Sequence, residues 1–101
     1  MILVLRQDDR FLEVFESPEA VQCHFEAIDI ENEEFEFCDD HGQRYVSVIT
    51  EPGGWWRSGR FELRPESAPS RRHVIEFIDR ASGIESDRFP DLESLRRHLD
   101  A

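Results

Sequence analysis

Along this chain the spacing of apolar residues changes period several times, and each change marks an element. In FLEVF, residues 11–15, Phe11, Glu13 and Phe15 alternate with Leu12 and Val14, which predicts a strand with apolar contact on both sides. Ser17 is then placed to cap a helix. Pro18 at its first position loses no needed hydrogen bond, and Glu19 suits the positive end of the dipole. Val21, Phe25 and Ile28 follow at spacings of four and three, so a short amphipathic helix is predicted from about Pro18 to Ala27.

From Glu34 the period becomes two, with Phe35 and Phe37 on one side and Glu34 and Glu36 on the other. CDDHGQ supplies a tight reversal in which Gly42 is free to take positive φ, and RYVSVIT returns as a second strand. After the Gly-rich stretch EPGGWWRSGR, the alternation in RFELR adds another strand, with Phe61 and Leu63 inward. In RRHVIEFIDRASG, residues Val74, Ile75, Phe77, Ile78 and Ala81 fit one helical stripe ending at Gly83, although the β-branched content leaves a strand as the alternative. Asp91 caps a last helix, where Leu92, Leu95 and Leu99 form a stripe and Glu93 can pair with Arg97. The elements sum to one domain over residues 1–101, an α+β fold. Its expected form is an antiparallel sheet of about four strands with helices packed on one face.

Charge changes the picture from fold to partner. The formal charge is −11, and residues 1–51 hold all of the excess: 14 Asp and Glu against Arg6, Arg10 and Arg44. The remaining residues balance. A surface this acidic is repelled by phosphate, because counterion release needs basic side chains, so neither direct nucleic-acid binding nor an anionic membrane surface is expected. The opening MILVL, followed at once by RQDDR, is too short for the apolar region of a signal peptide or a membrane span. The chain is therefore expected in the cytoplasm, with Cys23 and Cys38 as free thiols rather than a disulfide framework.

The densest negative stretch is DIENEEFEF, residues 29–37. A strand with Phe inward and Glu outward is by itself an ordinary half-buried edge. Calcium chelation does not suit it, since same-face carboxylates on a strand stand about 6.7 Å apart at Cα, whereas two oxygens on one calcium lie at most about 5 Å apart. Nor does one strand imitate duplex DNA. That would need about one charge per 1.7 Å and hence Asp8, Asp9, Glu13 and Glu16 brought alongside. What remains is a docking face for a basic protein, formed by Asp29, Glu31, Glu33, Glu34 and Glu36, where charge complementarity speeds association and fixes register. Trp55 and Trp56 are the candidate apolar anchors, because Trp is enriched at interface hot spots; a loop folded over the core is the alternative for that pair.

Catalytic signals are sparse. There is no nucleophile elbow, no His-Glu-x-x-His and no phosphate-cradling glycine loop, so no catalytic residue, metal or cofactor is assigned. Cys23 and His24 with Cys38 and His41 just meet the ligand count of a structural zinc site, but neighbours on a helix point about 100° apart, which suits one ion poorly. A small thiol- or metal-dependent enzyme built on Cys38 and His41, or a structural subunit of a larger complex, stands as the alternative reading.

The segment FESPEAVQCHFEAIDIENEEFEFCDDHGQRYV, residues 15–46, resembles small acidic bacterial immunity proteins of polymorphic-toxin and contact-inhibition systems. In these, a capped helix ends in a Glu-Ala-x-Asp-like turn, an acidic strand follows, and an Asp-x-x-Gly hairpin leads on. The matching residues are Glu26, Ala27, Asp29, Asn32, Glu34, Phe35, Asp39 and Gly42. Glu33 departs from that pattern, which has a turn-favouring Gly there. LESLRRHL also resembles the amphipathic helix that closes many such chains. The resemblance implies a protein that binds and silences a toxin domain, often a basic nuclease.

Overall fold

In the computed structural model, described over residues 1–25, 30, 35–51 and 59–100, the centre of the molecule is the N-terminal apolar run. Strand β1 (Ile2–Arg6) pairs antiparallel with β2 (Phe11–Phe15) on one side and β3 (Phe35–Asp39) on the other. Ile2, Leu3, Val4 and Leu5 are at most 3% exposed. Successive strand side chains point to opposite faces, so a run with no alternation is what a strand buried on both faces requires. Each such side chain contributes about 1.5–3 kcal/mol relative to its exposed state.

The sheet continues through β4 (Arg44–Glu51) to β5 (Arg60–Pro65), and β6 (Gly83–Glu85) closes the opposite edge, in the order β5-β4-β3-β1-β2-β6. It is mostly antiparallel and has six strands where about four were expected. The additional two are β1, whose unbroken apolar run lacks a strand's alternation, and β6. Only its parallel pairing with β2, Phe11 opposite Gly83 and Glu13 opposite Glu85, makes the three-residue β6 a strand. Gly83 is accordingly no helix cap: a Cβ there would lie 2.9 Å from the Phe11 ring.

Helix α1 (Pro18–His24) begins as predicted, with Ser17 Oγ accepting the Ala20 N–H at 3.2 Å, and stops where Phe25 turns extended. Residues 71–80 are helical, settling the alternative in favour of α2 (Arg71–Arg80), which ends three residues before Gly83. Helix α3 (Leu92–Asp100) follows Asp91, whose Oδ1 accepts the Ser94 N–H at 2.8 Å, and Arg97 pairs with Glu93 at 2.7 Å. The Ser94 N–H holds the Asp91 carboxyl below its ordinary range.

The helices cover both faces of the sheet, not one. Leu3, Leu5, Leu12 and Cys38 meet Val74, Phe77 and Ile78 of α2 and Leu95 of α3. Ile2, Val4 and Phe37 point the other way and gather with Val21 of α1, Ile30, Phe61 and Leu63. A central strand apolar on both sides leaves no alternative to a second covering layer.

The β3–β4 hairpin forms as predicted and is locked from outside. Asp39 Oδ1 accepts the N–H groups of His41 (2.9 Å) and Gln43 (2.8 Å), and Gly42 has φ +85°. A Cβ on Gly42 would lie 1.9 Å from the Ser70 carbonyl oxygen, because this turn seats against the start of α2, where the Ser70 N–H donates to the Gly42 carbonyl. The β5 edge is blunted in two ways: the Leu63 N–H donates to Gln22 Oε1 of α1 at 3.1 Å, and Pro65 has no N–H.

Candidate functional site

Glu36 is the one member of the predicted acidic face within the described residues; Asp29, Glu31, Glu33, Glu34, Trp55 and Trp56 lie outside them. Glu36 stands opposite Leu5, on the sheet face that α2 covers. Its carboxylate accepts from Arg80 Nη1 at 2.9 Å, Arg80 Nη2 at 3.3 Å, Arg44 Nη2 at 3.4 Å and Gln7 Nε2 at 2.6 Å. Only 22% of the side chain is exposed. The group thus ties β3 to the β1–β2 turn, to β4 and to α2. Arg80, 44 residues away in sequence, is the partner that local reading could not supply.

The same pattern extends over the molecule. Arg6, Arg44, Arg60, Arg64, Arg71, Arg72, Arg80, Arg96 and Arg97 each form an ion pair with a carboxylate of the same chain. Basic charge is therefore spent internally. Asp8, Glu16 and Glu19 are exposed and have no cationic partner among the described residues. They do not line up with one another: Asp8 is in the β1–β2 turn and Glu16 follows the far end of β2, with the length of that strand, roughly 17 Å at 3.3 Å per residue, between them. Asp9 and Glu13 turn instead to Arg6, so the row of four carboxylates that DNA imitation needs is not formed.

Arg6 gathers three carboxylates: Asp9 at 3.0 Å, Glu85 at 3.2 Å and Glu13 at 3.6 Å. Its guanidinium also lies 5.5 Å from the Phe11 ring centre. Burial pulls the Arg6 pKa down, but hydrogen bonds to Glu85 and Asp9 outweigh it and the net shift is upward. The Phe11 N–H, followed by Arg6, holds the Asp9 carboxyl low. Glu13 goes the other way. Burial raises its pKa, the charges of Arg6 and His24 offset only part of that, and its Oε2 is buried with no hydrogen-bond partner among the described residues.

The thiol and imidazole groups do not converge. Cys38 packs under α2 and α3, while Cys23 and His24 belong to α1 on the opposite face, and His41 is exposed in the hairpin turn. Burial, with the Asp39 charge adding and Arg44 opposing, pushes the Cys38 thiol up to about 12. It is protonated at neutral pH and is no nucleophile there. Among the described residues, no three His, Cys, Asp or Glu side chains are grouped to hold a metal ion, and no helix is long and apolar enough to cross a membrane.

One concave feature was not foreseen. A groove of about 540 Å³ runs between α2 and α3 beside the hairpin turn, with Val74, Ile75, Ile78 and Leu99 as its apolar walls. Asp40, His41, Arg71, Arg96, His98 and Asp100 rim it. Arg71 pairs with Asp100 at its rim, and Arg96 pairs with Asp79, so two ion pairs join the helices. A signal was present in the α2 stripe. Val74, Phe77 and Ile78 are buried, but Ile75, counted with them from spacing alone, is 47% exposed and faces the groove.

A scan against protein-family models finds no match, and neither the curated proteins nor the solved structures yield one.

Proposed function

We propose that this protein is an acidic binding module that docks on a basic protein and inhibits it, in the manner of an immunity protein acting on a nuclease toxin. The observation that carries the reading is the internal pairing of the arginines: with nine of them bound to the chain's own carboxylates, the net −11 is left without local compensation. A field of that sign concentrates a cationic partner near the surface and raises the association rate, with an effect that fades as salt shortens the Debye length. The contact residues in this reading are Asp29, Glu31, Glu33 and Glu34, with Trp55 and Trp56 as the apolar anchor. Glu36 contributes chiefly by holding β3 in place. The resemblance of residues 15–46 to immunity proteins supports the same choice.

The test is a low-salt pull-down from native lysate with wild type and a variant carrying Glu31→Gln, Glu33→Gln and Glu34→Gln, followed by mass spectrometry and a salt titration of the captured complex. The expected result is a basic protein retained by wild type, lost by the variant, and released progressively as salt rises. Equal retention by both forms, or a complex indifferent to salt, overturns the reading.

A further inference from the structure

We propose that β6 is a pH-controlled latch: Arg6 clamps it to the sheet through Glu85 while Glu13 is protonated, and ionised Glu13 draws Arg6 away and lets β6 open. The latch is short, since β6 has three residues and pairs with β2 alone. Glu13 and Glu85 stand opposite one another in that parallel register and share a face of the sheet, where Arg6 reaches both. Arg6 does not serve them equally. Its hydrogen bonds go to Asp9 at 3.1 Å and to Glu85 at 3.2 and 3.4 Å, whereas Glu13 Oε1 lies 3.6 Å away and Glu13 Oε2 is buried with no partner among the described residues.

Among the described residues, the charged groups around Glu13 are Arg6 of β1, Asp9 of the β1–β2 turn, His24 of α1 and Glu85 of β6. One guanidinium thus faces three carboxylates, and the buried one is left without a hydrogen bond. A carboxyl in that position is costly when charged and far less so when protonated, so the closed latch favours the protonated acid. Burial accordingly holds the Glu13 pKa above its ordinary value. Closure is therefore favoured most below the ordinary carboxyl range and loses that advantage as pH rises through the raised value. The opening equilibrium grows by about tenfold for each pKa unit that Glu13 sheds on opening. In the open form Arg6 turns from Glu85 to Glu13, and β2 becomes the edge of the sheet with backbone groups free to pair.

Amide hydrogen exchange of the ¹⁵N-labelled full chain, followed by NMR between about pH 4 and about pH 7 and corrected for the intrinsic rate of each amide, tests this. The reporters are the protected β6 amides and the Ser82 N–H, which donates to the Arg10 carbonyl at 2.9 Å; the β1 amides report global unfolding. The expected result is that the reporters open more readily than β1 at every pH, and that their opening rises several-fold over the range in wild type and stays flat in Glu13→Gln. Glu85 is 54% exposed, so Glu85→Gln tests the same clamp without touching the core. It opens the latch already at low pH and flattens the rise. His24→Gln keeps the wild-type rise, because the imidazole takes no part in the clamp. Reporters that exchange only in step with β1, a rise that survives in Glu13→Gln or Glu85→Gln, or one that disappears in His24→Gln each overturns the proposal.

Discussion

Replacing Glu36 by Gln separates a carboxylate that holds the fold from one that waits for a partner. Gln keeps one acceptor oxygen, enough for the 2.6 Å contact from Gln7, but turns the other oxygen into an amide donor facing the guanidinium of Arg80 or Arg44. Both arginines are near half exposed and Glu36 is 22% exposed, so each ion pair is worth about 0.5–1 kcal/mol, and losing both costs about 1–2 kcal/mol. For a domain of 101 residues, that lowers the thermal midpoint by roughly 4–8 °C per kcal/mol. Urea unfolding of wild type, Glu36→Gln, Arg80→Gln and the double variant gives the coupling directly. It should be about 0.5–1 kcal/mol between Glu36 and Arg80, and should shrink at 1 M salt, where the Debye length is about 3 Å. Additive single effects, or a Glu36→Gln protein within about 0.3 kcal/mol of wild type, would refute the argument and return Glu36 to the open acidic face.

Other outcomes follow from the same geometry. Gly42→Ala forces a left-handed Cβ onto the Ser70 carbonyl, at 1.9 Å before any relaxation, and should cost about 3 kcal/mol or more in urea unfolding through strain plus the lost turn-to-helix contact. Because burial raises the Glu13 pKa in the folded state, its contribution to stability is fully present below its unfolded pKa and lost as pH rises through the folded value. Glu13→Gln should therefore be more stable than wild type at pH 7, and the difference should vanish below about pH 4; a constant difference across that range would show that Glu13 does not titrate abnormally. With the Cys38 thiol at about 12 and buried, a thiol reagent at pH 8 should label only Cys23 in the native protein and both cysteines in denaturant, and fast native labelling of Cys38 would refute its assigned burial.

The elements with local signals were legible in the chain. Ser17 and Asp91 announce their helices because a cap is made within three residues, and Asp39 with Gly42 announces the hairpin for the same reason. The amphipathic periods of α1, α2 and α3 placed them within a few residues of their observed positions. Glu93 and Arg97 meet because helix geometry alone brings i and i+4 together.

What the chain by itself determined is the class of fold, the position of the turns and caps, and a net charge of −11, all consequences of short-range sterics and composition. Only the tertiary structure decided that β1 lies at the centre, that β6 joins the sheet, and that helices cover both faces. Each depends on pairings made across the chain, and a continuous apolar run carries no period to say which surfaces it will meet. The site divided along the same line. The acidic run is visible in sequence, but whether one of its members is open or taken depended on Arg80, and the groove forms because α2 and α3 pack side by side on the same face of the sheet. Coulomb attraction and burial act between neighbours in space, and for this chain those neighbours are set by how the sheet orders its strands.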